Sequence, residues 1–308
     1  VAVVVTYHSD LDQVRSLLDE LCPQVDSVVV VDNGSDDEVV AALRDTVSDR
    51  GEVVALGDNL GIATAQNRGI EAARNRGATH VLLSDDDSAP SAGMVDQLLA
   101  ALVDDPTGRL GAVGPVVVDE RTAQAPLVFT DQGTGPRRIP DLPTTPGTVV
   151  DVAFLIASGC LVDLRVVDDV GGMHDGLFID HVDLEWGLRA RARGWRLAVV
   201  VGARLDHHLG DATRPVPWRS REVHIQSPVR NYYTVRNTLW LVRGRRMPVR
   251  WRWGYLAWIT RYIVFYLVTM PPRWVRARLV AQAVADAARN RQGRVPARLV
   301  ERKAGRRA

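Results

Sequence analysis

Over residues 1–87 the chain alternates four times between a short aliphatic run and a segment with apolar residues at helical spacing. The runs, 1–5, 27–31, 52–56 and 80–83, are rich in valine and leucine and too short for helices. Such runs predict buried strands. After the first, Leu11, Val14, Leu17, Leu18 and Leu21 recur at helical spacing, with Ser9 or Asp10 placed to cap and Pro23 to stop the helix. Val39, Val40 and Leu43 mark a second helix, and residues 62–73 a third. The alternation predicts an α/β fold with a mostly parallel sheet covered by helices on both faces. A length of 308 residues with 46% hydrophobic content suffices for one large or two modest domains.

Open sheets of this kind bind ligands beyond the carboxyl ends of their strands. Four polar clusters fall there: Thr6-Tyr7, Asp32-Asn33, Asn59-Leu60-Gly61 and Asp85-Asp86-Asp87. The last is the most charged. Adjacent carboxylates repel, and a bound cation would relieve them. In extended chain, Asp85 and Asp87 share one side and Asp86 points to the other. Hard oxygen ligands suit Mg²⁺ or Mn²⁺, with substrate phosphates completing the shell. The plainer alternative is a solvated acidic turn that caps the next helix. No Gly-x-Gly-x-x-Gly follows the first strand, and no Gly-x-x-x-x-Gly-Lys-Ser/Thr loop occurs. A nucleotide would therefore be held by side chains and metal.

Further along, a helix is expected over 91–103, strands over 110–118 and 149–158, and a surface loop or short hairpin over 119–148, near an acceptor. In the stretch 177–195, Asp183 and Glu185 stand near a helix start, where the helix dipole alone would favour acids. A strand over 196–201 leads to His207 and His208, and a helix over 227–241 follows. The segment 251–267 is densely aromatic and flanked by arginines. It suits a membrane interface, or an amphipathic helix packed on protein.

Charge is unevenly spread. Residues 1–218 carry 17 Lys/Arg against 34 Asp/Glu; residues 219–308 carry 21 against 3. The basic tail implies an anionic partner, membrane headgroups or nucleic acid. Cys22 and Cys160 lack metal or redox spacing, so they form one disulfide or remain two buried thiols in a reducing cytoplasm. The apolar start is too short for a signal peptide, and no uncharged apolar run is long enough to cross a bilayer.

Taken in order, these motifs resemble the inverting family 2 glycosyltransferases of GT-A fold, and within them bacterial dTDP-rhamnosyltransferases. The resemblance covers roughly residues 1–245. It rests on Val4-Val5-Thr6-Tyr7, Val31-Asp32-Asn33-Gly34-Ser35, the stretch 59–69, the Asp85–Asp87 triplet, Asp183-Leu184-Glu185 and His207. The rhamnosyl subgroup is suggested by residues 178–186 and 227–233.

The resemblance implies a GT-A catalytic domain over 1–215. Its nucleotide-binding half would be 1–118 and its acceptor-binding half 119–215. A helical, Arg-rich, membrane-associating region over 216–308 would follow. The donor would be dTDP-β-L-rhamnose, with UDP-galactofuranose or UDP-glucose as alternatives. The acceptor would be a glycan or a polyprenyl-diphosphate-linked saccharide in cell-wall or surface-glycan synthesis.

Position by position, Thr6, Tyr7, Asp32, Asn33, Asn59, Gly61, Asn67, Asp85 and Asp86 would bind the nucleotide sugar, with Asp32 taking the base imide. Asp85, Asp87 and His207 would hold Mg²⁺ or Mn²⁺, with His208 as fallback ligand. Asp183 would be the general base. The family usually has Glu-Asp-x-Asp here, whereas this chain has Val182 and Glu185 in the outer positions, so Glu185 or Asp180 is the supporting or alternative acid. The tail 219–308 would meet an anionic membrane, making the protein cytoplasmic and peripheral on the inner face. No nucleic acid partner is expected, and a homo-oligomer is compatible with the sequence. The competing readings are a nucleotidyltransferase and a non-catalytic glycan-binding module.

Overall fold

The structure, a computed structural model, describes residues 1–118, 128–131, 133–139, 141–207, 213–214 and 223–300. The chain forms two compact units. One comprises residues 1–175 and 182–208, the other 176–181 and 209–308.

The first unit is built on one large sheet. In chain order its strands and helices begin β1 (Ala2–Thr6), α1 (Leu11–Leu21), β2 (Val28–Asp32), α2 (Asp37–Val47), β3 (Gly51–Ala55), α3 (Ile62–Asn75), β4 (His80–Asp85), β5 (Ser88–Pro90) and α4 (Met94–Val103). They continue β6 (Leu110–Val118), β7 (Phe129–Asp131), β8 (Pro136–Arg138), β9 (Val149–Asp151), β10 (Cys160–Asp163), α5 (Leu164–Val170), α6 (Val182–Ala192) and β11 (Arg196–His207). The sheet order is β3-β2-β1-β4-β10-β6-β11-β5, with β9 also on β11. Strands β3, β2, β1 and β4 are parallel, and β10 runs antiparallel between β4 and β6.

Every residue of β1 and β2 is buried. Burial on both faces explains why these strands read as continuous valine runs without alternation. Helix α1 buries Val14, Leu17, Leu18 and Leu21, the expected stripe, and the Asp10 side chain caps it by accepting from the Asp12 N–H at 2.9 Å. Helix α3 lies very close to β1: a Cβ on Gly69 would fall 2.1 Å from Val3 Cγ1.

Two expected strands differ in extent. The run 149–158 yields only β9, and the chain then turns through Gly159, at φ +77°, into β10. Strand β11 extends past residue 201 to His207, because an irregularity between Val200 and Arg204 lets it resume pairing with β6. The segment 119–148 does hold a hairpin, β7 with β8, while residues 119–127 lie outside the described residues. Both cysteines are free thiols, Cys160 buried and Cys22 partly so.

The second unit contains α7 (Pro228–Arg243), α8 (Val249–Thr269) and α9 (Arg273–Ala288). Ser227 caps α7 by accepting from the Arg230 N–H at 3.2 Å, and Pro228 occupies the first turn, where no N–H is needed. Its core joins Tyr232, Tyr233 and Val235 of α7 to Ile259 of α8 and Leu279, Val280 and Ala283 of α9. Phe178 and Ile179, from the short loop 176–181, pack into that core.

Candidate active site

Parallel pairing brings the first, second and fourth polar clusters to one rim. Thr6 at the end of β1 is in register with Asp32 at the end of β2, and Val5 with Asp85 at the end of β4. Asp32 is fully buried. Its Oδ1 accepts from the Gly34 and Ser35 N–H groups at 3.1 and 2.9 Å; its Oδ2 accepts from the Ser35 and Thr6 hydroxyls at 2.5 and 3.3 Å. These bonds use the lone-pair directions a carboxylate has. A base imide N–H reaches Asp32 only where one of the two hydroxyls turns away.

The next loop is laced to this one. Asn33 Nδ2 donates to Asn59 Oδ1 at 3.2 Å, and Asn33 Oδ1 accepts from the Leu60 N–H at 2.9 Å. Asn59 Oδ1 also accepts from the Gly61 N–H at 3.1 Å. The close approach needs glycine at position 34, where φ is +100° and a Cβ would fall 2.4 Å from the Asp58 carbonyl carbon. Tyr7 is 48% exposed, its ring open to a ligand and edge-on to His8 at 4.5 Å.

The acid triplet departs from the alternation expected of it. Strand β4 ends at Asp85, and Asp86 and Asp87 form the turn into β5. Asp86 therefore does not point away. Its carboxylate accepts from the Ser9 hydroxyl, which also accepts from the Tyr7 N–H at 3.1 Å. Burial pushes the Asp86 carboxyl above the ordinary range; the Ser9 hydrogen bond opposes this, and Asp87 and Asp85 add to it. Asp85 Oδ2 accepts from the Ser158 hydroxyl at 2.9 Å, and Ser158 Oγ lies 2.9 Å from Ser88 Oγ. Ser9 and Ser158 thus fix two of the three carboxylates. Nothing in the sequence marks Ser158, which lies far along the chain from Asp85.

Strand β11 pairs His207 with Ser88, the residue after Asp87, so the backbone of the expected third ligand reaches this turn. The His207 side chain and all of His208 lie outside the described residues. Among the described residues no group of three or more His, Cys, Asp or Glu is arranged to hold a metal ion. Mg²⁺ and Mn²⁺ are commonly held by one or two carboxylates plus substrate phosphates. Asp85 and Asp87, hard oxygen donors two residues apart, fit a cation site of that shared kind.

Asp183 lies in the first turn of α6, half-buried, its Oδ1 accepting from the Leu184 N–H at 2.8 Å. It acts on Cys160, whose thiol is pushed up to about 12 by burial first and by the Asp183 carboxylate second. Cys160 is in register with Leu83 of β4, two residues before Asp85. The thiol that this carboxylate acts on is therefore on the strand beside the one that carries the triplet.

Three other expected site residues are engaged elsewhere. Glu185 is 3% exposed, and both its oxygens accept from Arg189 Nε at 2.9 Å. Arg189 in turn donates to the Val170 and Gly172 carbonyls, so the pair closes the loop after α5. Asn67 Nδ2 donates to the Met173 carbonyl at 2.9 Å and to Asp175 Oδ1 at 2.7 Å, pinning the segment before residue 176. Asp180 belongs to the second unit, where it accepts from Arg230 Nε and Thr234 Oγ1 at 3.0 Å each.

Residues 1–149 match the glycosyl transferase family 2 model. The chain is 33% identical over 251 residues to dTDP-rhamnosyl transferase RfbF of Shigella flexneri, covering 80% of this chain and 81% of that one. The chain belongs to glycosyl transferase family 2. This family 2 glycosyltransferase also shares its fold with solved structures. GalNAc-T7 with UDP, GalNAc and Mn²⁺ superposes with a TM-score of 0.58 at 14% identity, over 88% of this chain and 57% of that one. S. aureus TarS 1–349 in complex with UDP-GlcNAc gives 0.55 at 17% identity, over 97% of this chain and 82% of that one. The expected GT-A fold, with its mostly parallel sheet and helical C-terminal region, is the fold observed. Family membership decides against the nucleotidyltransferase and the non-catalytic module.

Proposed function

We propose that this glycosyltransferase moves L-rhamnose from dTDP-β-L-rhamnose to a hydroxyl of a lipid-linked or polysaccharide acceptor, with inversion, in cell-wall or surface-glycan synthesis. The observation that carries the donor is the identity to the Shigella flexneri rhamnosyl transferase across four-fifths of the chain. Thr6, Tyr7 and the Asp32–Asn59 lacework face the nucleotide. Asp183 takes the proton of the acceptor hydroxyl as that oxygen bonds to the anomeric carbon. The bond from that carbon to the diphosphate breaks on the opposite face, and dTDP leaves. Asp85 and Asp87, with His207, would hold Mg²⁺ or Mn²⁺, which when bound neutralises charge on the leaving diphosphate.

A thermal-shift screen with Mg²⁺ tests the donor. A ligand at 100 times its dissociation constant stabilises by about 2.7 kcal/mol. dTDP-rhamnose is expected to raise Tm more than UDP-glucose or UDP-galactofuranose does. A larger shift with either UDP-sugar would replace rhamnose with that sugar.

We also propose that the second unit binds the inner face of an anionic membrane. No described helix is long and apolar enough to cross one. Trp253 on α8 is 71% exposed and Trp274 on α9 is 88% exposed, and Val264 and Val268 are exposed too. Residues 223–285 contain no Asp or Glu, while Arg250, Arg261 and Arg273 are exposed. Tryptophan settles at headgroup level, and each basic residue near an anionic leaflet contributes about 1 kcal/mol. The protein should co-sediment with phosphatidylglycerol vesicles and much less with phosphatidylcholine, and Trp253→Ser with Trp274→Ser should weaken both. Equal binding to the two vesicles, or none, would remove this proposal.

A further inference from the structure

Gln66 of α3 has no part in the site described above. It is 3% exposed, and its Oε1 is buried with no hydrogen-bond partner. A carbonyl oxygen kept from water without a donor destabilises the unliganded fold, so a ligand group that donates to it binds at an advantage.

The direction of this side chain follows from helix geometry within the first unit. Gly69 faces β1, since a Cβ there would fall 2.1 Å from Val3 Cγ1. Another flank of α3 faces the chain that follows β10: Arg74 donates to the Leu164 carbonyl and pairs with Asp168, and Asn67 donates to the Met173 carbonyl. With 3.6 residues per turn, Gln66 lies about 60° round the helix from Gly69, and Arg74 and Asn67 lie about 140° and 160° round in the same sense. Gln66 therefore points between β1 and the chain after β10. The strand between β1 and β10 is β4.

Its level is set in the same way. The start of α3 lies at the rim, where the Leu60 N–H donates to Asn33. Gln66 is three residues, about 4.5 Å, nearer that rim than Gly69. A strand rises about 3.3 Å per residue, so the step from Val3 passes Val4 toward Val5. Val5 is in register with Asp85 at the end of β4. Val3, Val5, Leu83 and Asp85 share one face of the sheet, while Val4, Val30 and Leu82 on the other face pack with α1, α2 and α4. Cys160, the thiol on which the Asp183 carboxylate acts, is in register with Leu83 and so on the face of Asp85. Gln66 thus lies over the end of β4 on the face that carries Asp85 and Cys160.

In the proposed donor site the diphosphate lies at Asp85 and the base at Asp32, across β1 on β2. An ionised diphosphate has no hydrogen to give. The transferred sugar, next along the donor, carries hydroxyls. We propose that Gln66 is a specificity residue for that sugar, its Oε1 accepting from a sugar hydroxyl of the nucleotide sugar. This rests on the reading of the site as a nucleotide-sugar site. The oxygen is closed to water in the unliganded chain, so the hydroxyl meets it after a small turn of the Gln66 side chain, which no hydrogen bond of that oxygen opposes.

Calorimetry on the full chain with Mg²⁺, comparing dTDP-β-L-rhamnose with dTDP, tests this. Gln66→Met keeps the length of the side chain and removes the acceptor. Its Kd for dTDP-rhamnose should rise about 5- to 100-fold, the cost of leaving a bound hydroxyl unpaired, with the Kd for dTDP within about twofold. Its Tm without ligand should equal or exceed that of the wild type, because the variant sheds an unpaired buried carbonyl. An equal rise for dTDP would move the contact to the deoxyribose hydroxyl and overturn the proposal. So would a lowered Tm with both Kd values unchanged, the mark of a merely structural amide. If Gln66→Met does not fold, Gln66→Leu takes its place, and failure of both to fold would likewise show a structural role. Wild-type binding of dTDP-rhamnose that is unchanged in the variant would remove this inference alone. No binding of dTDP-rhamnose by the wild type would remove the donor reading, and this inference with it.

Discussion

Asp183→Asn is expected to lower turnover of dTDP-rhamnose by about 10²- to 10⁴-fold, the usual contribution of a positioned general base. The asparagine keeps the shape of the side chain and can still accept from the Leu184 N–H. It cannot take a proton. With the nucleotide held as proposed by β1, β2 and the loop after β3, dTDP affinity should be unchanged, and the loss should appear in kcat. Glu185→Gln supplies the contrast. Its carboxylate is buried against Arg189, which holds the loop after α5. Removing one partner of a buried ion pair costs about 3–5 kcal/mol. That variant should lose melting temperature, and its remaining folded fraction should turn over normally. Wild-type turnover in Asp183→Asn would transfer the base role to another acid.

Much of the first unit was legible because its determinants are local. Valine runs, a helical stripe from Leu11 to Leu21 and an Asp10 cap are short-range patterns, and parallel topology then aligns Thr6, Asp32 and Asp85 on one rim. What was not legible depends on partners distant in sequence. Alternation put Asp86 outward, but the strand ends one residue earlier and Ser9 captures its carboxylate. Asn67 lies within a stretch of family-like sequence, yet its amide is spent on Met173 and Asp175. Glu185 sits where a supporting acid would, and the arginine one turn along claims it. No periodicity announces that residues 176–181 belong with the helices of the second unit. The left-handed residues there are Phe, Asp and His, without the glycines that usually advertise such backbone.

Asp87→Asn is expected to have opposite effects with and without ligand. In EDTA it should raise Tm slightly, because Asp87 and Asp85 both make the half-buried Asp86 carboxyl harder to ionise. The sign follows from linkage. An acid with a raised folded pKa contributes stability at low pH that is lost as pH rises through that value, so at pH 7 removing a neighbouring charge relieves the folded state. With Mg²⁺ and dTDP present the order should reverse, since the variant would lack the proposed ligand for an ion that offsets those charges. Turnover should fall by about 10²- to 10³-fold, because Lewis-acid neutralisation of a leaving group contributes several kcal/mol and each 1.36 kcal/mol is tenfold. A solvated acidic turn predicts no such crossover: Asp87→Asn would then show the same slight gain in both conditions. Asp86→Asn separates the two carboxylates further. It keeps the Ser9 hydrogen bond while removing a charge that burial disfavours, so it should gain stability in EDTA and retain metal-dependent stabilisation that Asp87→Asn is expected to lose.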